Sequence, residues 1–227
     1  MRALVRLVVL LVVVVAIVAS AAAWLGVVQV PVVSSLAGMD KAPSLGADAA
    51  DTAAYTTFVK AHGITFGSPD ANYTFASKHT FSGSFAFKGS IPEGTILAMR
   101  EFGMVAPGIR DVTINFHAGS AEAAAFMDLA PYGYPVSGPV KATFRVAVTG
   151  QRAVKVSIDS LELGRIGVPA DIAAKAQDAV NAYLVTRLAV IDGLRIDSLA
   201  FTDGGVGFAG TLPTTYGAAT PKAGDLP

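Results

Sequence analysis

The 227-residue chain contains no cysteine, which excludes disulfides, thiol catalysis, thiolate metal sites and lipid attachment through an N-terminal cysteine. His62, His79 and His117 are its whole imidazole supply. They form no H-E-x-x-H and have no carboxylate at matching helical spacing, so nothing calls for a metal or another cofactor. Charge is scarce and balanced, with seventeen basic and seventeen acidic side chains. The long-range field that draws proteins to nucleic acid is therefore missing. Catalytic patterns are missing too. There is no G-x-S-x-G elbow, and no Ser, His and Asp stand in a triad-like pattern. Glu93 and Glu101, eight positions apart, read as a cap and a solvated charge rather than a general acid and base. Gly205-Val206-Gly207-Phe208-Ala209-Gly210 matches G-x-G-x-x-G, but Pro213 follows where a dinucleotide site needs a helix. These glycines read as hairpin positions, and the chain reads as a non-enzyme.

What is present begins with apolar residues, 52% of the chain and concentrated in its first thirty positions. From Leu7 to Val28 there is no charge, and only Ser20 and the Trp24 indole interrupt the run. About 20 such residues cross a bilayer core as a helix. Arg2 and Arg6 precede the run and no basic residue follows until Lys41, which places the N-terminus in the cytoplasm and the rest outside. The expectation is a single-pass cell-membrane protein anchored through residues 7–28. The rival reading is a cleaved signal peptide, with small-residue sites at Ala19-Ser20-Ala21 and Ala21-Ala22-Ala23. The run is longer than a usual signal core, which favours retention.

Beyond the anchor (residues 1–28), Pro31, Gly38, Pro43 and Gly46 mark residues 29–47 as a linker. Residues 48–213 read as one extracytoplasmic domain, and 214–227 as a disordered tail. A short helix is expected over Asp48–His62, with Gly63 past its end. Phe81, Phe85 and Phe87 alternate with polar residues as in one strand, and Ser90-Ile91-Pro92-Glu93 has capping-box spacing before a helix to about Phe102. Strands are expected over Ile109–His117, Ala121–Leu129 and Val140–Thr149, the last forming a hairpin with the Val154 strand. The apolar phase slips near Ser160 and again near Ser198, as a β-bulge or a bend of the sheet would cause. Pro169 opens the longest helix, to about Ile191, whose stripe Ile172, Ala176, Val180, Tyr183, Leu184, Leu188 and Ile191 is expected to be buried. A hairpin over Leu194–Leu212 closes the domain.

The stretch from Val154 to Pro213 runs V-x-V-x-I-x-S-L-x-L-G, then G-V-P before a long helix containing Asn181, then L-R-I-D-S-L-x-F-x-D-G-G-V-x-F-x-G-x-L-P. This series, with Pro92-Glu93-Gly94-Thr95 and Ile109 to Ile114 upstream, resembles small bacterial single-span proteins of the YpmS and LmeA type. The likeness covers about residues 81 to 213. It implies a tubular lipid-binding (TULIP-like) domain of the α+β class, a long curved antiparallel sheet wrapped around one long helix. The function it implies is holding a membrane lipid by its acyl chain in an apolar groove.

Phe85, Phe87, Ile114, Phe116, Phe144, Val146, Tyr183, Leu184 and Leu188 are the expected groove residues, with Arg145, Lys155 or Arg165 at its mouth. Core packing alone would also account for such apolar stripes. Two other readings stand beside this one. A scaffold would bind an envelope protein through its polar sheet face, and the resemblance also implies a factor in glycolipid assembly.

Overall fold

The structure, a computed structural model, describes residues 39–47, 49–66, 78–101, 109–128 and 137–219. Leu7–Val28 and the chain beyond Ala219 lie outside these residues. Among the described residues, no helix is long and apolar enough to cross a membrane.

Helix α1 (Thr52–Ala61) starts where Asp51 accepts a hydrogen bond from Ala54 N at 2.8 Å, an N-cap. β1 (Thr65–Phe66), β2 (Lys78–Ser82) and β3 (Phe85–Pro92) follow. The single strand expected through Phe81, Phe85 and Phe87 is two strands in two sheets. Gly83, at φ 66°, breaks it, and a Cβ there would overlap Thr214. β3 runs to Pro92, so Ser90 pairs with Gly207 in the ladder instead of capping α2 (Glu93–Glu101).

β4 (Ile109–His117), β5 (Ser120–Asp128), β6 (Ser137–Gly150), β7 (Ala153–Leu163) and β8 (Ile166–Gly167) form one antiparallel sheet in that order. Helix α3 (Ala170–Ala189) follows, then β9 (Arg195–Thr202) and β10 (Gly205–Leu212), which join β3 in the order β3-β10-β9. β11 (Thr215–Ala219) lies between β1 and β2. Residues 215–219 were expected in a disordered tail, but Tyr216 stacks edge-on against Phe81 across the β2–β11 ladder. That contact gives the polar, Gly-rich segment a reason to order. The fold is α+β and mostly antiparallel sheet, with a helix packed on the five-stranded sheet.

Both phase slips have the expected cause. The ladder skips Asp159 between the pairs Thr143↔Ser160 and Phe144↔Ile158, and skips Asp197 between Ala209↔Ser198 and Gly210↔Ile196. Each site is an Ile-Asp-Ser-Leu tetrapeptide, and the extra residue puts its Ile and Leu on one face although they are three apart. Each bulged Asp is neutralised by an arginine. Arg145 grips Asp159 with Nε at 2.9 Å, and Arg195 reaches Asp197 at 2.9 Å. Opposite the second bulge Gly210 has φ 153°, and a Cβ there would overlap the Arg195 carbonyl.

One packed core joins the β3-β10-β9 sheet to the five-stranded one. Leu194, Ile196 and Phe208 are buried, with Phe87, Val148, Val154, Leu188, Ile191, Leu199 and Leu212 around them. A second buried group sits where the two short helices meet, with Tyr55, Leu97 and Ala98 inside and Asp51 N donating to Gly94 O at 2.8 Å. Glu93, expected as a cap, opens α2. Its carboxylate is buried and accepts from Phe116 N at 2.7 Å, tying α2 to β4. Residues 39–47, read as part of a spacer, bond to the outer face of β4. Arg110 Nη2 donates to Asp40 O at 2.6 Å and Asn115 Nδ2 to Leu45 O at 3.0 Å.

The long helix departs most from expectation. It is not enclosed by sheet: α3 lies along β7, and none of its residues is buried. Ile172 is 50% exposed and Val180 40%, although both belong to the apolar stripe. Gln177 accepts from Ile158 N, and Asn181 accepts from and donates to Val156, which fixes the rotation of the helix with these amides towards the Leu184–Leu188 side of the stripe.

Candidate functional site

Cross-strand pairing decides which residues of the large sheet share a face. Ile114 and Phe116 on β4 pair with Ala123 and Ala121, and Ala121 and Ala123 pair with Phe144 and Ala142. On β7, Val156 faces Val146, Ile158 faces Phe144, and Leu161 faces Ala142. One side of the sheet is thus continuously apolar. Phe201 of β9 covers part of it, with ring centroids 5.3 Å from Phe116 and 5.7 Å from Phe144. Phe116 and Ala121 are buried there, whereas Ala142, Phe144, Val146, Val156, Ile158 and Leu161 remain only partly buried.

Beside this band, α3 meets β7 through amides. Asn181 accepts from Val156 N at 2.8 Å and donates to Val156 O at 2.9 Å, and Gln177 accepts from Ile158 N at 2.8 Å. Towards the N-terminal end of the helix the two elements part. They leave a half-open depression of about 270 Å³ between Ile158, Asp159, Ser160 and Leu161 on one side and Val168, Ala170, Ala173, Ala174 and Gln177 on the other. Sites for drug-sized ligands run from about 300 to 1,000 Å³, so this space suits a chain segment rather than a whole lipid.

The nine expected groove residues do not line one cavity. Phe144 and Val146 lie in the partly buried band, with Ile114 on the same face at β4. Phe116 is core. Phe87 and Leu188 belong to the cluster around Phe208, where Phe87 also stacks on Phe208 with centroids 6.4 Å apart. Phe85 packs against His62 at 4.7 Å, and His62 in turn lies 4.5 Å from Phe58. Tyr183 and Leu184 are partly buried on α3, and the Arg187 guanidinium sits 5.3 Å from the Tyr183 ring.

Arg145 reaches the rim of the depression through Asp159, which lines it, whereas Lys155 does not line it. They pair opposite Ser157 and Ala147 and so project from the polar face of the sheet, where hydrogen bonding to Asp159 holds the Arg145 guanidinium above its ordinary pKa. On that face Lys141 and Glu122 also pair, at 3.0 Å. Gln177 and Asn181, the polar residues that contact β7, were not read as site residues. Two amides four positions apart, one turn of helix, were the available signal. Among the described residues, no group of three His, Cys, Asp or Glu is placed to hold a metal ion. No protein-family model, curated protein or solved structure matches this chain.

Proposed function

We propose that this domain holds the acyl chain of a membrane lipid, seated on the apolar band of β6 and β7 beside α3. The carrying observation is that band itself. Val146, Val156, Ile158 and Leu161 stay partly open to solvent, and the depression under α3 is lined by Ile158 and Leu161. An uncovered apolar sheet face next to a helix is the kind of surface that binding sites use. The uncharged run Leu7–Val28 supports the reading from the sequence side, because an anchored domain meets its lipid at the bilayer. The likeness of residues 81 to 213 to YpmS- and LmeA-type proteins points the same way.

Burying an acyl chain gains about 0.8 kcal/mol per CH₂ relative to water, but nearly nothing relative to a bilayer. Selection therefore rests on the shape of the seat. A second reading, a scaffold for an envelope protein, is favoured by the exposure of Ile172 (50%) and Val180 (40%) on α3 and of Val190 (59%) at its C-terminal cap, where a partner could rest.

The test uses the full chain in lipid vesicles containing a photoactivatable fatty acid, with labelled peptides mapped by mass spectrometry. Label is expected on residues 140–163 and 170–189, and Phe144→Trp or Leu184→Trp should reduce it by filling the seat. Label confined to residues 7–28, unchanged by either substitution, would leave the scaffold reading as the better one.

A further inference from the structure

The Asn181 side chain meets β7 as a neighbouring strand would. It offers one acceptor and one donor to the same residue, taking Val156 N at 2.8 Å and giving to Val156 O at 2.9 Å. Gln177 takes Ile158 N, two residues along the strand. These bonds satisfy an edge that, among the described residues, only the two-residue β8 extends, at Glu162 and Leu163. Other contacts favour the C-terminal end of the helix. There Arg152 Nε donates to Leu194 O at 3.1 Å, and Leu188 and Ile191 pack on the buried Leu194, Ile196 and Phe208. At the N-terminal end Pro169 supplies no side-chain cap and the depression of about 270 Å³ lies beneath the first two turns, while Val168 N donates to Leu161 O at 2.8 Å and ties the chain before the helix to β7.

From this arrangement we infer that α3 is a gate, closed over the edge of β7 by an Asn181–Gln177 amide latch and hinged where the chain is tied down, at Val168 before the helix and at the Leu194 cluster after it. No α3 side chain is fully buried, so opening costs only the cover of partly buried residues such as Tyr183 and Leu184. Elements with few buried contacts are the ones that open locally while the rest of a domain stays folded. Opening uncovers Ile158 and Leu161, two residues of the proposed acyl seat. What passes the gate rests on the lipid reading, but the gate itself does not.

Hydrogen exchange of the full chain in detergent micelles, followed by mass spectrometry, tests the latch. In Asn181→Ala, exchange over residues 153–158 and 170–189 should accelerate by about tenfold while residues 120–128 and 205–212 keep their rates. Asn181→Asp keeps the acceptor for Val156 N and loses the donor, so it should fall between the two. Should Asn181→Ala fail to fold, Gln177→Ala should show the same local pattern with a smaller increase. Uniform acceleration across all segments would mean that the amides brace the whole fold, and no acceleration would mean that they hold nothing. Either result overturns the gate. A chain that takes up no fatty acid but shows the local pattern would retain the gate and lose the lipid.

Discussion

The seam between the two larger sheets and the strip where α3 meets β7 are built from similar residues but are held differently. At the seam, Leu194, Ile196 and Phe208 are buried against side chains from β3, β6, β7 and α3. Along the strip, no α3 residue is fully buried, and the helix contacts β7 through side-chain amides. Burial is non-directional and scales with area, whereas a hydrogen bond made in exchange for water contributes only about 1 kcal/mol. A protein can open a strip of the second kind without disturbing a seam of the first. This contrast makes the strip, rather than the seam, the place to look for function.

Core truncation should separate the two regions most sharply. Phe208→Ala should cost about 3–5 kcal/mol, the range for a buried aromatic, while Leu184→Ala on the partly exposed helix should cost under about 2 kcal/mol. Thermal unfolding of both variants measures the gap. Similar losses would erase the distinction between seam and strip.

Glu93 sharpens the comparison, because a hydrogen bond can matter in a closed region when it serves a buried group. Glu93→Ala leaves the Phe116 N–H unsatisfied beneath α2 and should cost about 1–3 kcal/mol. Glu93→Gln retains an acceptor and should recover most of that loss. A Gln variant as unstable as the Ala variant would show that the carboxylate serves something other than Phe116.

The smallest effect is expected in alkali. Burial, with nearby Tyr55 adding to it, pushes the Tyr216 phenol up to about 12. The unfolded chain, with tyrosine near its ordinary value of about 10, loses this proton first, so stability present below pH 10 declines as pH rises towards 12. Tyr216→Phe should flatten that decline in unfolding curves recorded between pH 10 and 12. An unchanged slope would mean that Tyr216 is solvated like an exposed tyrosine.

Much of the architecture was legible in the residue order. Alternation located Ile109–His117, Val140–Thr149 and the two hairpins, and Pro169 with Gly193 bracketed the long helix. The slips near Ser160 and Ser198 located both bulges, because one extra residue shifts the side-chain period of a strand in a way the sequence displays directly. The candidate site was less legible. Phe144 and Val146 were placed in its apolar band, but Phe87, Phe116 and Leu188 belong to packed clusters, because an apolar position looks the same in sequence whether its face is covered or open.

By itself, then, the sequence determined the local periods, the bulges, the hairpins, the ends of the long helix and the uncharged N-terminal run, all of which depend on residues adjacent in the chain. Only the tertiary structure decided that α3 lies along an edge instead of inside a sheet, that Glu93 is buried beneath β4, and that Thr215–Ala219 is a strand between β1 and β2. Those outcomes depend on partners far apart in sequence, 23 positions in the case of Glu93 and Phe116 and 25 in that of Val156 and Asn181. A stripe or an alternation specifies that a face wants covering; register and hydrogen-bond geometry between distant segments decide what covers it.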